Sequence, residues 1–406
     1  MKTAYVVGTW DTKGAELDYI AGLLKAAGVP TSRIDVSTKP TAAQTEISAR
    51  EVAAAHPAGP EAVLSNTDRG QAVAAMAVAL ERFISLRGDI GGIIAAGGTG
   101  NTALVAPAFR SLPVGVPKVL VSTVASGNVA PYVGPADISM VYSVTDVQGI
   151  NSISRRVLGN AAHSLAGMMQ SVIPPAQGQD KPAVGLTMFG VTTPCVRAIV
   201  DALSEHHDCL VFHATGTGGM SMEKLVDSGL LSAIIDTTTT EVADLLVGGV
   251  FAASRDRLGA VARRRVPYVG SCGALDMVNF GGIDTVPEKF RARKLHVHNP
   301  QVTLMRTTAD ENSQIGAWLA SKLNECEGQV RFLLPEGGVS LIDVPGQPFY
   351  DPEADAALFD AIEAGFQTTE SRRLIRVPFA INDPEFSAAA ISAFKDITRE
   401  PSSGTV

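Results

Sequence analysis

The chain has 406 residues, 46% hydrophobic and 18% charged, too long for one ordinary domain and apolar enough for two large cores. A formal net charge of −8, from 33 basic and 41 acidic residues, argues against a broad nucleic-acid or membrane surface. Four scattered cysteines without a C-x-x-C pair, no transmembrane-length apolar run and no signal-peptide pattern predict buried thiols in a cytoplasmic protein.

The first predicted strand is Thr3 to Thr9, where Ala4-Tyr5-Val6-Val7 run into Gly8. A polar loop through Lys13 leads to a helix over Gly14 to Ala27, with Leu17, Ile20, Leu24 and Ala27 on one face. This is the first half of a βαβ unit, and open α/β sheets hold ligands at the carboxyl ends of their strands. Thr9 and Thr12 offer hydroxyls there, Lys13 a cation, and the helix start its N–H groups, which together suit a phosphate. A helix start capped by Asp11 or Thr12, with Lys13 in solvent, stays open at this point. The second strand, Ser32 to Val36, ends in Ser37-Thr38-Lys39-Pro40. Asp35 lies inside it, and this hydroxyl and basic end fits a mononucleotide better than NAD, whose ribose wants an acidic strand end.

Helices are predicted over Ala42 to Ala55 and Gly70 to Arg87, separated by the polar turn Leu64 to Arg69, to which no role attaches. A strand from Ile90 ends in Gly97-Gly98-Thr99-Gly100-Asn101-Thr102, a glycine-rich turn into a helix. Glycine permits close backbone approach to a ligand. With no lysine after Gly100 this is a generic anion cradle and not a Walker phosphate loop; a tight turn with a threonine cap is the plainer reading. Pro117 to Ser122 is a strand with another small, hydroxylated end. Asp137 and Asp146, in later turns, could meet Mg²⁺ through water or simply cap turns. A helix over Gly149 to Val172 closes a first lobe, 1–173. The proline-rich stretch 174–182 is the linker to a second lobe, 183–406.

The second lobe repeats the theme. Ala183 to Met188 is a strand, followed by a helix with Pro194 in its first turn. Cys209 to His213 is a strand that ends in a second glycine cradle, Thr215-Gly216-Thr217-Gly218-Gly219. After a strand over Ala233 to Asp236, the helical stretch Ser254 to Arg265 carries Arg255, Arg257, Arg263, Arg264 and Arg265. It is either a partner or phosphate patch or a solvated helix end. Further strands start at Tyr268 and cover Phe332 to Pro335 and Leu374 to Val377. Helices cover Asp355 to Phe366 and Pro384 to Phe394, and the residues from Glu400 read as frayed. His296 and His298 alternate on a strand and are expected to share a face. With His213 or Glu336 they could bind a metal, but a lone H-x-H is weak and no metal site is expected. Cys272 reads as an unreactive buried thiol sooner than as a partner of His296. Glu336, at a strand end, is the candidate general acid/base, with His213 beside the second cradle.

Seven segments add up to a family. They are Gly8 to Lys13, Gly97 to Thr102, Tyr142 to Asn151, Met188 to Pro194, Phe212 to Gly219, Gly273 to Gly281 and Leu334 to Ser340. On them the chain resembles the bacterial relatives of the N-terminal ATP-binding domain of the tomato mosaic virus resistance protein, an uncharacterised family of bacteria and fungi. The resemblance implies two Rossmann-like lobes, each a mainly parallel sheet flanked by helices, a homodimer, and ATP with Mg²⁺ at the first lobe's strand ends. Thr9, Lys13, Thr38, Gly97, Gly98, Thr99, Gly100, Asn101 and Thr102 are the ATP-site candidates it implies. The plant protein's antiviral role belongs to that protein. Two functions follow as expectations: an ATP-binding enzyme acting on a small acidic or carbonyl metabolite in a cleft between the lobes, or a nucleotide-responsive binding protein without catalysis.

Overall fold

In the computed structural model, which describes residues 2–39, 43–174 and 181–398, the chain divides into two units, Met1–Gln177 and Gly178–Val406. Residues 175–180 of the expected linker, residue 42 of an expected helix and the tail from Glu400 lie outside the described residues.

The first unit runs β1 (Thr3–Gly8), α1 (Trp10–Ala26), β2 (Thr31–Asp35), α2 (Ala49–Ala53), α3 (Glu61–Leu64), α4 (Arg69–Ser85), β3 (Ile90–Gly97), α5 (Thr99–Ser111), β4 (Lys118–Ser122), α6 (Ala130–Val133), β5 (Ser139–Tyr142) and α7 (Ser152–Gln170). Its five-stranded sheet has the order β2-β1-β3-β4-β5, with every neighbouring pair parallel. The near-continuous apolar runs of β1 and β3 follow from burial on both faces. Alternate residues point to opposite sides. Tyr5, Val7, Ile93 and Ala95 join a core with Met76 and Leu80 of α4 and Leu104 and Phe109 of α5. Ala4, Val6, Ile94 and Ala96 join another with Leu17, Ile20 and Leu24 of α1 and Leu158 and Leu165 of α7. The strand order reverses between β1 and β3. That switch point is where an open sheet leaves a crevice at its carboxyl ends.

Two expectations change here. The helix over 42–55 shrinks to α2, because Ile47 extends the sheet edge instead. Its N–H donates to Arg33 O at 3.0 Å and its carbonyl accepts from Asp35 N at 3.0 Å. The unassigned turn Leu64 to Arg69 proves to be a helix start. Asn66 Oδ1 accepts from Asp68 N at 3.0 Å, and the Asp68 carboxylate caps α4 by accepting from Gln71 N at 2.8 Å.

The second unit runs β6 (Ala183–Met188), α8 (Thr193–Leu203), β7 (Asp208–His213), α9 (Thr217–Asp227), β8 (Ala233–Thr238), α10 (Thr240–Ala243), α11 (Gly259–Arg264), β9 (Tyr268–Gly273), β10 (Met277–Phe280), β11 (Leu295–Asn299), β12 (Val302–Arg306), α12 (Ala309–Asn324), β13 (Val330–Pro335), α13 (Pro352–Gly365), β14 (Arg372–Val377) and α14 (Pro384–Thr398). Six strands form a parallel sheet in the order β14-β13-β9-β8-β6-β7, and β10-β12-β11 form a separate antiparallel sheet. The unit's first strand again lies between its second and third, so this sheet too has a switch point, at β6 and β8. The chain is thus two Rossmann-like lobes, each with a mainly parallel sheet flanked by helices. Among the described residues no helix is long and apolar enough to cross a membrane.

The basic stretch Ser254 to Arg265 is helical only over α11. Arg257, expected on a surface, is 2% exposed; its guanidinium turns inward to three carboxylates.

Candidate functional site

At the first switch point a crevice of about 590 Å³ opens, within the size range of small-molecule sites. Three turns meet in it. The β1–α1 turn contributes Thr9, Asp11, Thr12 and Lys13, the end of β2 contributes Thr38 and Lys39, and the β3–α5 turn contributes Gly98, Gly100, Asn101 and Leu104. Arg69 and Val73 of α4 and Asp146 after β5 complete the lining. A neighbouring cavity of about 770 Å³ shares Thr38 and Lys39.

The two helix starts differ. That of α1 is satisfied from within the fold, by neither residue expected. Asp35, the last residue of β2, accepts from Trp10 N at 3.2 Å, and Ser37 Oγ accepts from Asp11 N at 3.2 Å. The next two N–H groups, of Thr12 and Lys13, reach Thr9 O at 3.3 and 2.9 Å. The free N–H groups expected at this turn are therefore spent, and Asp35 is not free to hold a ribose. What the turn offers is side chains. The Thr9 and Thr12 hydroxyls bond each other at 2.9 Å. The backbone leaves helical geometry at Lys13 (φ −129°, ψ 19°), and the Lys13 ammonium donates to Val147 O.

The start of α5 is open: its N-cap is Gly98 and no side chain caps it. A Cβ on Gly100 would meet nothing within 4 Å, so the backbone there is bare to the crevice. Asn101 donates through Nδ2 to Ala96 O at 3.3 Å, while its buried Oδ1 has no hydrogen-bond partner. Thr102 and Thr99 take no part in the lining. Thr102 is buried, and its hydroxyl bonds Gly98 O at 3.0 Å and Ser122 Oγ at 2.6 Å; Thr99 is exposed outside the crevice. Gly97 is buried beneath the turn, where a Cβ would collide with Asn101 at 2.7 Å. Of the two aspartates considered for Mg²⁺, Asp146 lines the crevice. Asp137 is held by Lys118 Nζ at 2.6 Å and Gly115 N at 2.8 Å.

Sequence reading missed Arg69 and took Lys39 only as part of a basic strand end. The ion pairs of the first lobe engage Lys25, Arg33, Arg50, Arg87 and Lys118, and among the described residues neither Arg69 nor Lys39 has a carboxylate partner. The signal was present: Asp68 before the apolar spacing Ala72, Met76, Leu80 is an N-cap pattern that puts Arg69 in a first turn.

The second glycine cradle is filled by the protein itself. Glu241 Oε1 accepts from Gly216 N at 2.7 Å and Gly219 N at 3.1 Å. A Cβ on Gly219 would lie 2.1 Å from Glu241 Oε2, and Gly216 has φ +80°, so glycine is required at both positions. Thr215, Gly216, Thr217, Gly218 and Gly219 do form an anion cradle, but its anion is a carboxylate of the same chain. Arg257 stands on the far side of Glu241, 3.3 Å away, and also bonds Glu223 at 2.9 Å and Asp236 at 2.7 Å. Burial pushes the carboxyls of Glu223 and Glu241 up, against the pull of Arg257.

His213 and Glu336 are kept apart. His213 ends the edge strand β7, whereas Glu336 follows β13, and β9, β8 and β6 lie between. At about 4.8 Å per strand that is roughly 19 Å, too far to act on one bond. Arg376 Nη1 donates to the Glu336 carboxylate at 2.8 Å, so Glu336 is an ion-pair member beside a cavity of about 320 Å³. His213 lines a cavity of about 170 Å³ with Phe189, Phe251 and His298. His296 packs edge-on to Phe349 instead, at 6.1 Å. His296 stands opposite Leu304, which lines the cavity that His298 also lines, although the β11–β12 register shifts between Val297 and Asn299. Among the described residues no group of three His, Cys, Asp or Glu side chains is placed to hold a metal ion. Cys272 is wholly buried, and burial raises its thiol far from reactivity.

A second buried cluster lies near the Glu336 cavity. Arg306 Nη2 meets Asp355 at 2.7 Å and Asp343 at 3.3 Å, and Ser340 Oγ donates to Asp276 Oδ2 at 2.8 Å. Asp276 Oδ1 has no partner. Burial pushes Asp276 up to about 7 and Asp343 up to about 9.

Comparison with known proteins agrees with this two-lobed organisation. The model of the uncharacterised protein family (UPF0261) N-terminal domain matches residues 2–174, and that of its C-terminal domain matches residues 181–398. A UPF0261 protein of Mesorhizobium japonicum is 56% identical over 98% of this chain and 100% of its own length. One of Clostridium tetani is 43% identical over 96% of this chain and 97% of its own. The ToMV resistance protein Tm-1 of Solanum lycopersicum is 42% identical over 97% of this chain but 55% of its own length, so the chain spans about half of that relative. Among solved structures, a UDP-GlcNAc 2-epimerase of Methanocaldococcus jannaschii aligns over 66% of this chain and 83% of its own at 10% identity and a TM-score of 0.21, too slight a likeness to inform fold or function. With both family domains matched in order along nearly the whole chain, the protein belongs to the UPF0261 family.

Proposed function

We propose that this is an ATP-binding protein whose first lobe takes the nucleotide, with Mg²⁺, in the crevice at the β1/β3 switch point. One observation carries the reading: that crevice joins the open, glycine-lined start of α5 to three cationic side chains, Lys13, Lys39 and Arg69. Bare N–H groups at a helix start and convergent cations are what a phosphate chain requires. The chemistry of the other groups fits as well. The unpartnered Asn101 Oδ1 can accept from a sugar hydroxyl, the Thr9, Thr12 and Thr38 hydroxyls can bond sugar or phosphate, and Asp11 and Asp146 supply carboxylates for the magnesium.

Lys13→Ala is expected to weaken Mg-ATP binding by about tenfold or more, the worth of a charge-assisted hydrogen bond. The melting temperature should hardly move, since Lys13 gives up one hydrogen bond to Val147 O. Titration calorimetry on both proteins checks this. A folded parent protein that binds no ATP, or an alanine variant of undiminished affinity, would refute it.

Of the two functions, a nucleotide-responsive binding protein is favoured over an enzyme by a specific observation. The second-lobe groups with chemical potential are engaged by the fold: the Gly216–Gly219 cradle by Glu241 and Glu336 by Arg376. On this reading ATP incubated with the protein returns intact; release of ADP would favour the enzyme. The homodimer and the cytoplasmic setting belong to the same proposal, and light scattering of the purified chain tests the former.

A further inference from the structure

The crevice cations are not equivalent, and from their placement we infer that Arg69 is the residue that reads the length of the phosphate chain, selecting a nucleoside triphosphate over a monophosphate. This deepens the nucleotide reading above and rests on it. Arg69 is the first residue of α4, and the turn before it is built to hold it there. Asn66 fixes Asp68, and Asp68 caps the helix. Val73, one turn on and on the same face, lines the crevice with it. The α4 and α5 helices share one core through Met76, Leu80, Leu104 and Phe109. Each runs antiparallel to β3, so both begin at the carboxyl end of the sheet. Arg69 and the bare turn Gly98–Asn101 therefore open into the same space.

Depth separates the cations. Lys13 and Asn101 are half-buried, whereas Arg69 and Lys39 are exposed at the rim. The inner groups suit the phosphate nearest the glycine turn; the rim groups suit phosphates further out. Among the described residues Arg69 has no hydrogen-bonded or ion-paired partner, so its guanidinium fork is free for bidentate binding of phosphate oxygens.

The test is titration calorimetry of the full chain with Mg-ATP, AMP and inorganic tripolyphosphate, on the parent protein, Arg69→Ala and Arg69→Lys. Arg69→Ala should weaken ATP and tripolyphosphate by about tenfold or more and leave AMP within about twofold, with Arg69→Lys intermediate. Equal losses for ATP and AMP, or no loss for ATP, overturn the inference while leaving ATP binding intact. A parent that takes tripolyphosphate but no nucleotide, with the loss still confined to Arg69→Ala, removes the nucleotide reading and keeps Arg69 as a polyphosphate reader. A parent that binds none of the three removes both. Matching melting curves show that the exposed substitutions leave the fold unchanged.

Discussion

Arg257→Met is expected to cost about 3–5 kcal/mol of stability, the usual consequence of removing one partner from a buried ion pair. Methionine can occupy much of the space, so the loss is electrostatic. Glu223, Asp236 and Glu241, each bonded to the guanidinium at 3.3 Å or less, would remain buried without a cation. Glu241 would keep only its two backbone donors in the glycine cradle. Urea or thermal unfolding reads the effect; on the scale of a domain this size the melting temperature should fall by on the order of 10 °C. The control lies a few residues away in the same basic stretch. Arg263 bonds Asp227 and Asp256, but its side chain is 49% exposed, so Arg263→Ala should cost no more than about 1 kcal/mol. If the two substitutions prove equally mild, Arg257 does not hold the network together.

Stability should also fall as the pH rises from about 5 to 9, owing to the carboxyl cluster around Arg306. Burial raises Asp276 from 3.8 to about 7 and Asp343 from 3.8 to about 9. Between the ordinary carboxylate value and those raised values, the folded chain holds protons that the unfolded chain has released. Unfolding then sheds protons, so the stability these groups contribute is complete in acid and is lost as the pH climbs through the folded values. The opposite case, Glu46, is lowered to about 2; burial alone would raise it, but the hydrogen bonds from Arg33 prevail. Its contribution disappears only in stronger acid and leaves the window clear.

Asp276→Asn isolates the effect. The asparagine carbonyl can keep the Ser340 hydrogen bond, and its amide takes the place of the unpartnered Oδ1. The three carboxyls titrate together, and removing one should cut the fall between pH 6 and 8.5 by on the order of 2 kcal/mol. Denaturation midpoints across that range decide it; parallel pH profiles for parent and variant would count against the cluster as the origin.

Much of the fold was legible in the chain because strands and helices announce themselves locally. The near-continuous apolar runs of β1 and β3, each ended by glycine, and the helical spacing of Leu17, Ile20 and Leu24 depend only on near neighbours in sequence. Elements failed where a distant partner overrode the local pattern. The segment before α2 has helical spacing, but Ile47 finds the free edge of β2. Ser254 to Arg265 reads as a charged helix, but three buried carboxylates draw Arg257 inward and only α11 stays helical. At the candidate site, Thr9, Lys13, Thr38 and the Gly98–Asn101 turn were legible because glycine turns and strand ends carry a local signature. Arg69 was not, since its turn lies far from both strands in sequence.

The amino-acid pattern alone therefore determined two lobes of parallel strands, their glycine-rich turns and the strand ends at which a ligand belongs. Tertiary structure decided which turns remain open. Gly97–Thr102 and Gly216–Gly219 look alike in sequence, because each is a glycine turn at a helix start. Backbone N–H groups accept any anion brought to them. In the second lobe, the pairing of β8 beside β6 brings in Glu241, from 22 to 25 residues further along the chain, and closes the cradle. In the first lobe Asp35 and Ser37 are spent on the start of α1, no side chain among the described residues caps α5, and the crevice keeps its bare amides and its cations.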